Sequence, residues 1–293
     1  MFHVKHLHHH KKVYMREIRY IELVFVSSYY KFICYNGLVS GQIIAIVNQK
    51  GGVGKTTTSI NLSSFLGEMG HKVLLVDFDP QANATSGIGL RGDQIKKHSY
   101  HLLDSNQDVS EVLYPTPFQN LHILPATQDL AGAEVELSNM VSRETILKDR
   151  LRPLLDYYDY IIIDCAPSLG LLTVNALCAA HQCLIPVQCE YYALEGIAGL
   201  LKTLELVKGG LNPMLRIIGI VLTMYDSRTS LNRQVIDNAR AYFKGLVFDS
   251  VIPRNIRLAE APSHGLPILL YSASSTGSLA YSNLAKEFIQ RVQ

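Results

Sequence analysis

From residue 41 onward the chain alternates two hydrophobic rhythms. Short runs that are apolar at nearly every position, such as Ile43-Ile44-Ala45-Ile46-Val47 and Tyr160-Ile161-Ile162-Ile163, give way to longer stretches with apolar residues at helical spacing. Continuous apolar runs are characteristic of parallel strands buried on both faces, and the helices between them supply the cover. The pattern predicts strands at 43–48, 72–77, 121–125, 160–164, 182–187, 217–224 and 246–252. It predicts helices at 56–69, 143–157, 171–180, 194–207, 230–243 and 278–292, with Pro153 working against the last turn of the second. The fold class expected is α/β: one doubly wound, mostly parallel sheet flanked by helices, spanning residues 41–293 as a single domain. No internal repeat, linker or low-complexity tract interrupts it, and residues 88–119 carry no recognisable chemistry.

Residues 1–40 lack this rhythm. They hold five histidines, three of them consecutive at His8–His10, without caps or periodicity. The expectation is an unstructured extension or a mis-assigned start. Met1-Phe2-His3-Val4-Lys5-His6 can be encoded by a DNA sequence that is its own reverse complement, so residues 1 to about 38 are read as translated upstream DNA, with Val39 or Met15 as the natural start.

The first strand leads through Asn48-Gln49 into Lys50-Gly51-Gly52-Val53-Gly54-Lys55-Thr56-Thr57 and then into a helix. Strand, glycine-rich loop and helix in this order form a phosphate-binding loop. Gly51, Gly52 and Gly54 let backbone N–H groups curl around phosphate oxygens, and the positive end of the helix dipole points at the same place. Lys55 is expected at the β- and γ-phosphates of ATP, and the Thr56 hydroxyl on Mg²⁺. Two further strands end in acids. Asp77 and Asp79 close the strand at 72–77, and Asp164 closes the strand at 160–164, the end at which open α/β sheets bind ligands.

Composition narrows the class. Hydrophobic residues make up 48% of the 293, enough for a large core. No apolar run reaches membrane-spanning length. The stretch 20–35 is broken by Glu22 and Lys31 and has no small-residue cleavage site, which argues against a signal peptide. The five cysteines (Cys34, Cys165, Cys178, Cys183 and Cys189) show no C-x-x-C spacing and read as buried thiols. The net charge of +2 comes from residues 1–40, with six Lys/Arg and two Asp/Glu; the remainder has 21 basic and 23 acidic residues. Nucleic-acid binding by the body would therefore need a local patch.

The loop departs from G-x-x-x-x-G-K-[ST]: Gln49 stands at the first glycine position, and Lys50 follows. In this deviant Walker A form the sequence resembles the ParA/MinD group of dimerising P-loop ATPases. The likeness runs from about Gly41 to Gln293 and is greatest to the Soj-type chromosomal ParA proteins. It is carried by the segments 77–87 (DFDPQANATSG), 186–196 (PVQCEYYALEG) and 252–265 (IPRNIRLAEAPSHG).

The resemblance implies roles beyond those read from the residues. Lys50 crosses a dimer interface to the partner's nucleotide, as an arginine finger does. Gly51 to Thr57, including Val53 and Thr57, cradle the phosphates. Asp77 and Asp164 hold the Mg²⁺ water shell, and Asp79 orients the attacking water. The segment from Cys165 to Leu169 senses the γ-phosphate, and Pro253 and Asn255 lie at the adenine. Arg228 and Arg257 match basic positions that bind double-stranded DNA without sequence preference. The implied activity is ATP hydrolysis that times a DNA-partition cycle. Its partners are a second copy of the chain and a ParB-type centromere-binding protein, and its location is the cytoplasm, on the nucleoid. Two alternatives remain at this point: a MinD-like division regulator that binds membrane through its terminal helix, or a metal-cluster reductase of the same fold. Ser278–Gln293 is amphipathic, with Leu284, Phe288 and Val292 on one stripe. Its only basic residues are Lys286 and Arg291, which favours a core-docked helix over a membrane anchor.

Overall fold

The computed structural model describes residues 41–103, 107–138, 140–190 and 193–292. The expectations for residues 1–40, Cys34 among them, and the Tyr191-Tyr192 part of the second matching segment lie outside these. In chain order the elements are β1 (Gln42–Ile46), α1 (Lys55–Glu68), β2 (Val73–Phe78), α2 (Asn83–Gly87), α3 (Ser99–Leu102), β3 (Tyr114–Pro115), β4 (Leu121–Leu124), α4 (Leu130–Leu137), α5 (Ile146–Leu151) and β5 (Tyr160–Cys165). They continue with α6 (Leu171–Ala179), β6 (Gln182–Gln188), α7 (Ala193–Gly210), β7 (Arg216–Tyr225), α8 (Ser230–Phe243), β8 (Val247–Pro253), α9 (Ile256–Glu260), α10 (Ile268–Tyr271) and α11 (Thr276–Val292).

Among the described residues, eight strands form one sheet in the order β3-β4-β2-β5-β1-β6-β7-β8. Every pairing is parallel except the short β3–β4 pair at one edge. The chain leaves the central β1 to one side and later returns to its other side. The strand order thus reverses beside β1, which is where doubly wound sheets open a crevice.

Side-chain alternation along each strand divides the core in two. Ala45, Val47, Leu74, Val76, Ile161 and Ile163 face α6 and α7. Ile44, Ile46, Leu75 and Ile162 face α1 and α11. Both faces are covered, which is why the strands read as continuous apolar runs. The terminal helix is docked in the core: Tyr281, Leu284, Ala285 and Phe288 are buried, and Tyr281 shares a hydrogen bond of 3.1 Å with Thr58 of α1. Its apolar stripe is therefore taken up by the sheet and not left free for a lipid surface. No described helix is long and apolar enough to cross a membrane.

The helix predicted at 143–157 is shorter than its pattern. It begins at Ile146 and gives way at Arg152 to a 3₁₀ turn with Pro153 in its first turn. A proline inside a helix has no N–H for the i−4 carbonyl, whereas at the start of a new turn that loss is harmless.

At the far edge, β8 carries an irregularity between Val247 and Val251 that frees backbone groups. Helix α11 covers them. Glu287 accepts from the Asp249 and Ser250 N–H groups at 2.8 and 2.9 Å. Arg291 donates to the Val247 carbonyl at 2.9 Å, pairs with Glu287 at 2.8 Å, and lies 4.1 Å over the Phe248 ring.

Candidate functional site

The loop between β1 and α1 is shaped by residues on both sides of it. Asn48 ties its start to the neighbouring strand: its Nδ2 donates to the Pro186 carbonyl at 2.7 Å, and its Oδ1 accepts from the Lys50 N–H at 3.0 Å. Gly52 (φ 73°) and Gly54 (φ 88°) occupy left-handed backbone that side chains resist, and a Cβ at Gly51 or Gly52 would point into open space. Gly54 caps α1 without any side-chain bond, and the first intrahelical bond is Thr58 N–H to Gly54 carbonyl. The leading N–H groups of α1 thus face the concave side of the loop, an arrangement suited to phosphate.

The two lysines have opposite environments. Lys55 is 6% exposed, and its ammonium donates to the Lys50 carbonyl at 3.2 Å. Burial pulls its pKa down, while Asp164 and Asp79 hold it up. The Lys50 ammonium lies at the surface, 2.8 Å from Glu190 Oε2, in a pair whose side chains are 45% and 48% exposed.

Sheet register brings the acids together. Asp77 of β2 pairs with Asp164 of β5, and Ile46 of β1 lies opposite Asp164 on its other side. Both carboxylates therefore stand on the last rung before the phosphate loop. Asp77 is fully occupied: Oδ1 accepts from the Asp79 N–H at 3.2 Å, and Oδ2 accepts from the Thr85 N–H and hydroxyl at 2.8 and 2.6 Å. Asp164 is not. Ser59 donates to its Oδ1 at 2.8 Å, but its buried Oδ2 has no partner. Burial pushes both acids up. In Asp164 the Asp77 charge adds to this, and the Thr56 and Ser59 hydroxyls oppose it. Asp79 follows the strand end, almost buried, with its Oδ1 accepting from the Gln81 N–H at 3.0 Å.

An orphaned carboxylate oxygen beside the Thr56 hydroxyl is a hard-oxygen donor set that suits Mg²⁺. Among the described residues no group of three His, Cys, Asp or Glu side chains could hold a metal ion. Mg²⁺ takes one or two protein oxygens and completes its shell with phosphate and water. Cys165, Cys178, Cys183 and Cys189 are buried free thiols, their pKa values pushed up by burial.

The other predicted positions lie away from this rung. Pro253 ends β8, in register with Tyr225 of β7. Asn255 caps α9: its Oδ1 accepts from the Arg257 N–H and its Nδ2 donates to Thr276 Oγ1, both at 2.8 Å. One amide hydrogen and one lone pair of the side chain remain beyond these two bonds. Arg228 and Arg257 are exposed, each paired with a neighbouring carboxylate. Arg228 grips Asp226 with two nitrogens at 2.9 and 2.6 Å, and Arg257 meets Glu260 at 2.9 Å. Asn48, Ser59, Thr223 and the specific pairing of Glu190 were not singled out by sequence reasoning. Only Ser59 had a readable signal, one helical turn beyond Lys55. Thr85 stood in the segment beside Asp79, but its grip on Asp77 depends on the fold of α2.

Comparison with known proteins agrees with this geometry. A family model described as an AAA domain matches residues 41–217. The chromosome partitioning protein ParA of Myxococcus xanthus is 55% identical over 251 residues, covering 86% of this chain and 89% of that protein. The sporulation initiation inhibitor protein Soj of Bacillus subtilis is 55% identical over 247 residues, covering 84% of this chain and 98% of that one. Among solved structures, the cobyrinic acid a,c-diamide synthase of Mycobacterium smegmatis, with bound ADP and magnesium, superposes with a TM-score of 0.75 at 37% identity over 86% of this chain and 95% of that one. The cell division ATPase MinD of Pyrococcus furiosus does so with a TM-score of 0.72 at 29% identity, over 86% of this chain and all of that one. With its phosphate loop, its strand-end acids and relatives at this level of identity, the chain belongs to the ParA/Soj family of chromosome-partitioning ATPases.

Proposed function

We propose that the protein drives DNA partition through an ATP-sandwiched homodimer that binds double-stranded DNA without sequence preference. A ParB-type partner then stimulates hydrolysis and releases the dimer. The carrying observation is the contrast between the two lysines of the loop. Lys55 is buried against its own loop, whereas Lys50 presents its charge at the surface, held by one exposed carboxylate. A cation in that position can serve the nucleotide of a second molecule.

In this reading Gly51 to Thr57 bind the phosphates, and Lys55 stays with the β- and γ-oxygens. Thr56 and Asp164, with Asp77 beside them, would hold Mg²⁺, whose charge would offset that of the β- and γ-phosphates. Asp79 orients the water that attacks the γ-phosphorus. Lys50 from the facing copy meets the negative charge that develops on the transferred phosphoryl group. Pro253 packs on the adenine, and the spare donor and acceptor of Asn255 read its edge. Arg228 and Arg257 exchange Asp226 and Glu260 for DNA phosphates, a substitution that guanidinium forks make readily. The site of action is the nucleoid.

Light scattering with ATP and Mg²⁺ tests the core of this. The native chain should double in mass, and Lys50→Ala should bind ATP but stay monomeric or lose at least about 10³ of its stimulated turnover. A Lys50→Ala protein that dimerises and turns over normally sinks the trans role.

A further inference from the structure

A continuous run of hydrogen bonds joins the phosphate loop to the loop that carries Arg228. The Val53 carbonyl, inside the phosphate loop, accepts from Thr223 Oγ1 at 2.8 Å. The Thr223 carbonyl accepts from the Cys189 N–H at 2.9 Å. Asn232, in the first turn of α8, donates from Nδ2 to the Cys189 carbonyl at 3.0 Å and accepts at Oδ1 from the Asp226 N–H at 2.7 Å. Asp226 in turn holds the Arg228 fork. The residue after Cys189 is Glu190, which pairs with Lys50. The phosphate loop therefore reaches the 189–190 segment twice, directly from Lys50 to Glu190 and from Val53 through Thr223 to Cys189.

The intervening turn has little freedom. Met224, between Thr223 and the Arg228 loop, has a φ of +55°, a backbone state that a side chain adopts only when its surroundings enforce it. Thr229 adds a clamp, donating from its N–H and hydroxyl to the Asp226 carbonyl. The Arg228 loop is thus braced internally, and Asn232 is a side chain that fastens it to the strand end beside Lys50.

We infer that Asn232 is a positioning residue that makes the DNA contact of Arg228 depend on the nucleotide. A shift of Lys50 or Val53 on ATP binding moves the 189–190 segment, and Asn232 passes that displacement to Asp226, the carboxylate that Arg228 must release to reach phosphate. The inference rests on the reading of Arg228 as a DNA contact. The quantity that reads this coupling is the ratio of DNA affinities with and without nucleotide.

The experiment measures binding of a labelled random-sequence duplex to the full chain, with and without a non-hydrolysable ATP analogue and Mg²⁺. Asn232→Ala removes both bonds. Asn232→Asp keeps the acceptor for Asp226 but has no donor for Cys189, and the direct effect of its added negative charge on DNA acts with and without nucleotide and so drops out of the ratio. Both variants should keep the native ATP affinity and basal hydrolysis. In both, the ratio of DNA affinities with and without nucleotide should fall by about tenfold, a typical coupling strength. A ratio that stays within about twofold of the native one in either variant overturns the inference. Arg228→Ala separates the two levels. If it leaves DNA affinity unchanged, the Arg228 reading fails and takes the inference with it; if it weakens DNA binding while the Asn232 variants keep the ratio, the inference alone fails.

Discussion

Replacing Asp164 by asparagine should stabilise the nucleotide-free protein while abolishing Mg²⁺-dependent hydrolysis. Asp164 is fully buried beside a second buried carboxylate, Asp77, and only one of its oxygens has a partner. An amide oxygen can still accept the Ser59 proton, so that bond survives. What disappears is the cost of holding a second acid in a dry site. A buried polar atom without a partner costs about 1–3 kcal/mol, and more when charged. The native acid must either keep its charge in a dry site or hold a proton that the unfolded chain would release, and asparagine avoids both, so the net gain should be about 1–2 kcal/mol, or about 2–8 °C in Tm for a domain of this size. The sign with pH follows from burial, which raises both acids above the ordinary carboxylate value. Above about pH 4 the folded protein then binds more protons than the unfolded chain, and stability falls as pH rises through the folded-state values. The advantage of the variant should therefore widen from about pH 4 to about pH 8 and level off above that. Urea unfolding of both proteins without nucleotide measures it, and phosphate release with Mg-ATP measures the lost function. A variant less stable than the native chain, or an advantage that shrinks as pH rises, would refute the reasoning: Asp164 would then be a structural acid already satisfied by the protein.

Asp79→Ala should bind ATP but hydrolyse it at least about 10²-fold more slowly and remain on DNA, followed by phosphate release and co-sedimentation; unchanged turnover rejects the water-orienting role. Arg228→Glu combined with Arg257→Glu should weaken DNA binding and flatten the dependence of log K on log salt by about two units, with ATP affinity retained. An unchanged slope assigns DNA binding to another surface.

Much of the site was legible because its chemistry is local. The strand–loop–helix order around Lys55 and the acids at the ends of apolar runs are visible within short stretches of chain. The bilateral burial of the sheet was visible too, since only strands covered on both faces stay apolar at every position. What escaped depended on register or on contacts between distant segments. Nothing in either strand says that Asp77 and Asp164 share a rung, or that Asp164 Oδ2 is left without a partner. The pairing of Lys50 with Glu190 spans β1 and β6, and the double bond of Asn232 spans β6, β7 and α8. The short helices α2, α3, α9 and α10 have too few residues to show a period. The helix at 143–157 was overextended because its apolar spacing continued past Pro153, where the backbone could not.

The irregular edge of β8 has a consequence for how copies of this chain meet. An open sheet offers its last strand as a template for another, and unpaired N–H groups there invite copies to add on without limit. Here the Asp249 and Ser250 N–H groups are already claimed by Glu287, with Arg291 fastening the same helix to the strand's carbonyl side. Under the proposed nucleotide-dependent dimer, a second adhesive border that ignores the nucleotide would work against control of assembly. The terminal helix blunts this one at the position where the strand is least regular, so the last turns of the chain close the hydrophobic core and also guard against indiscriminate polymerisation.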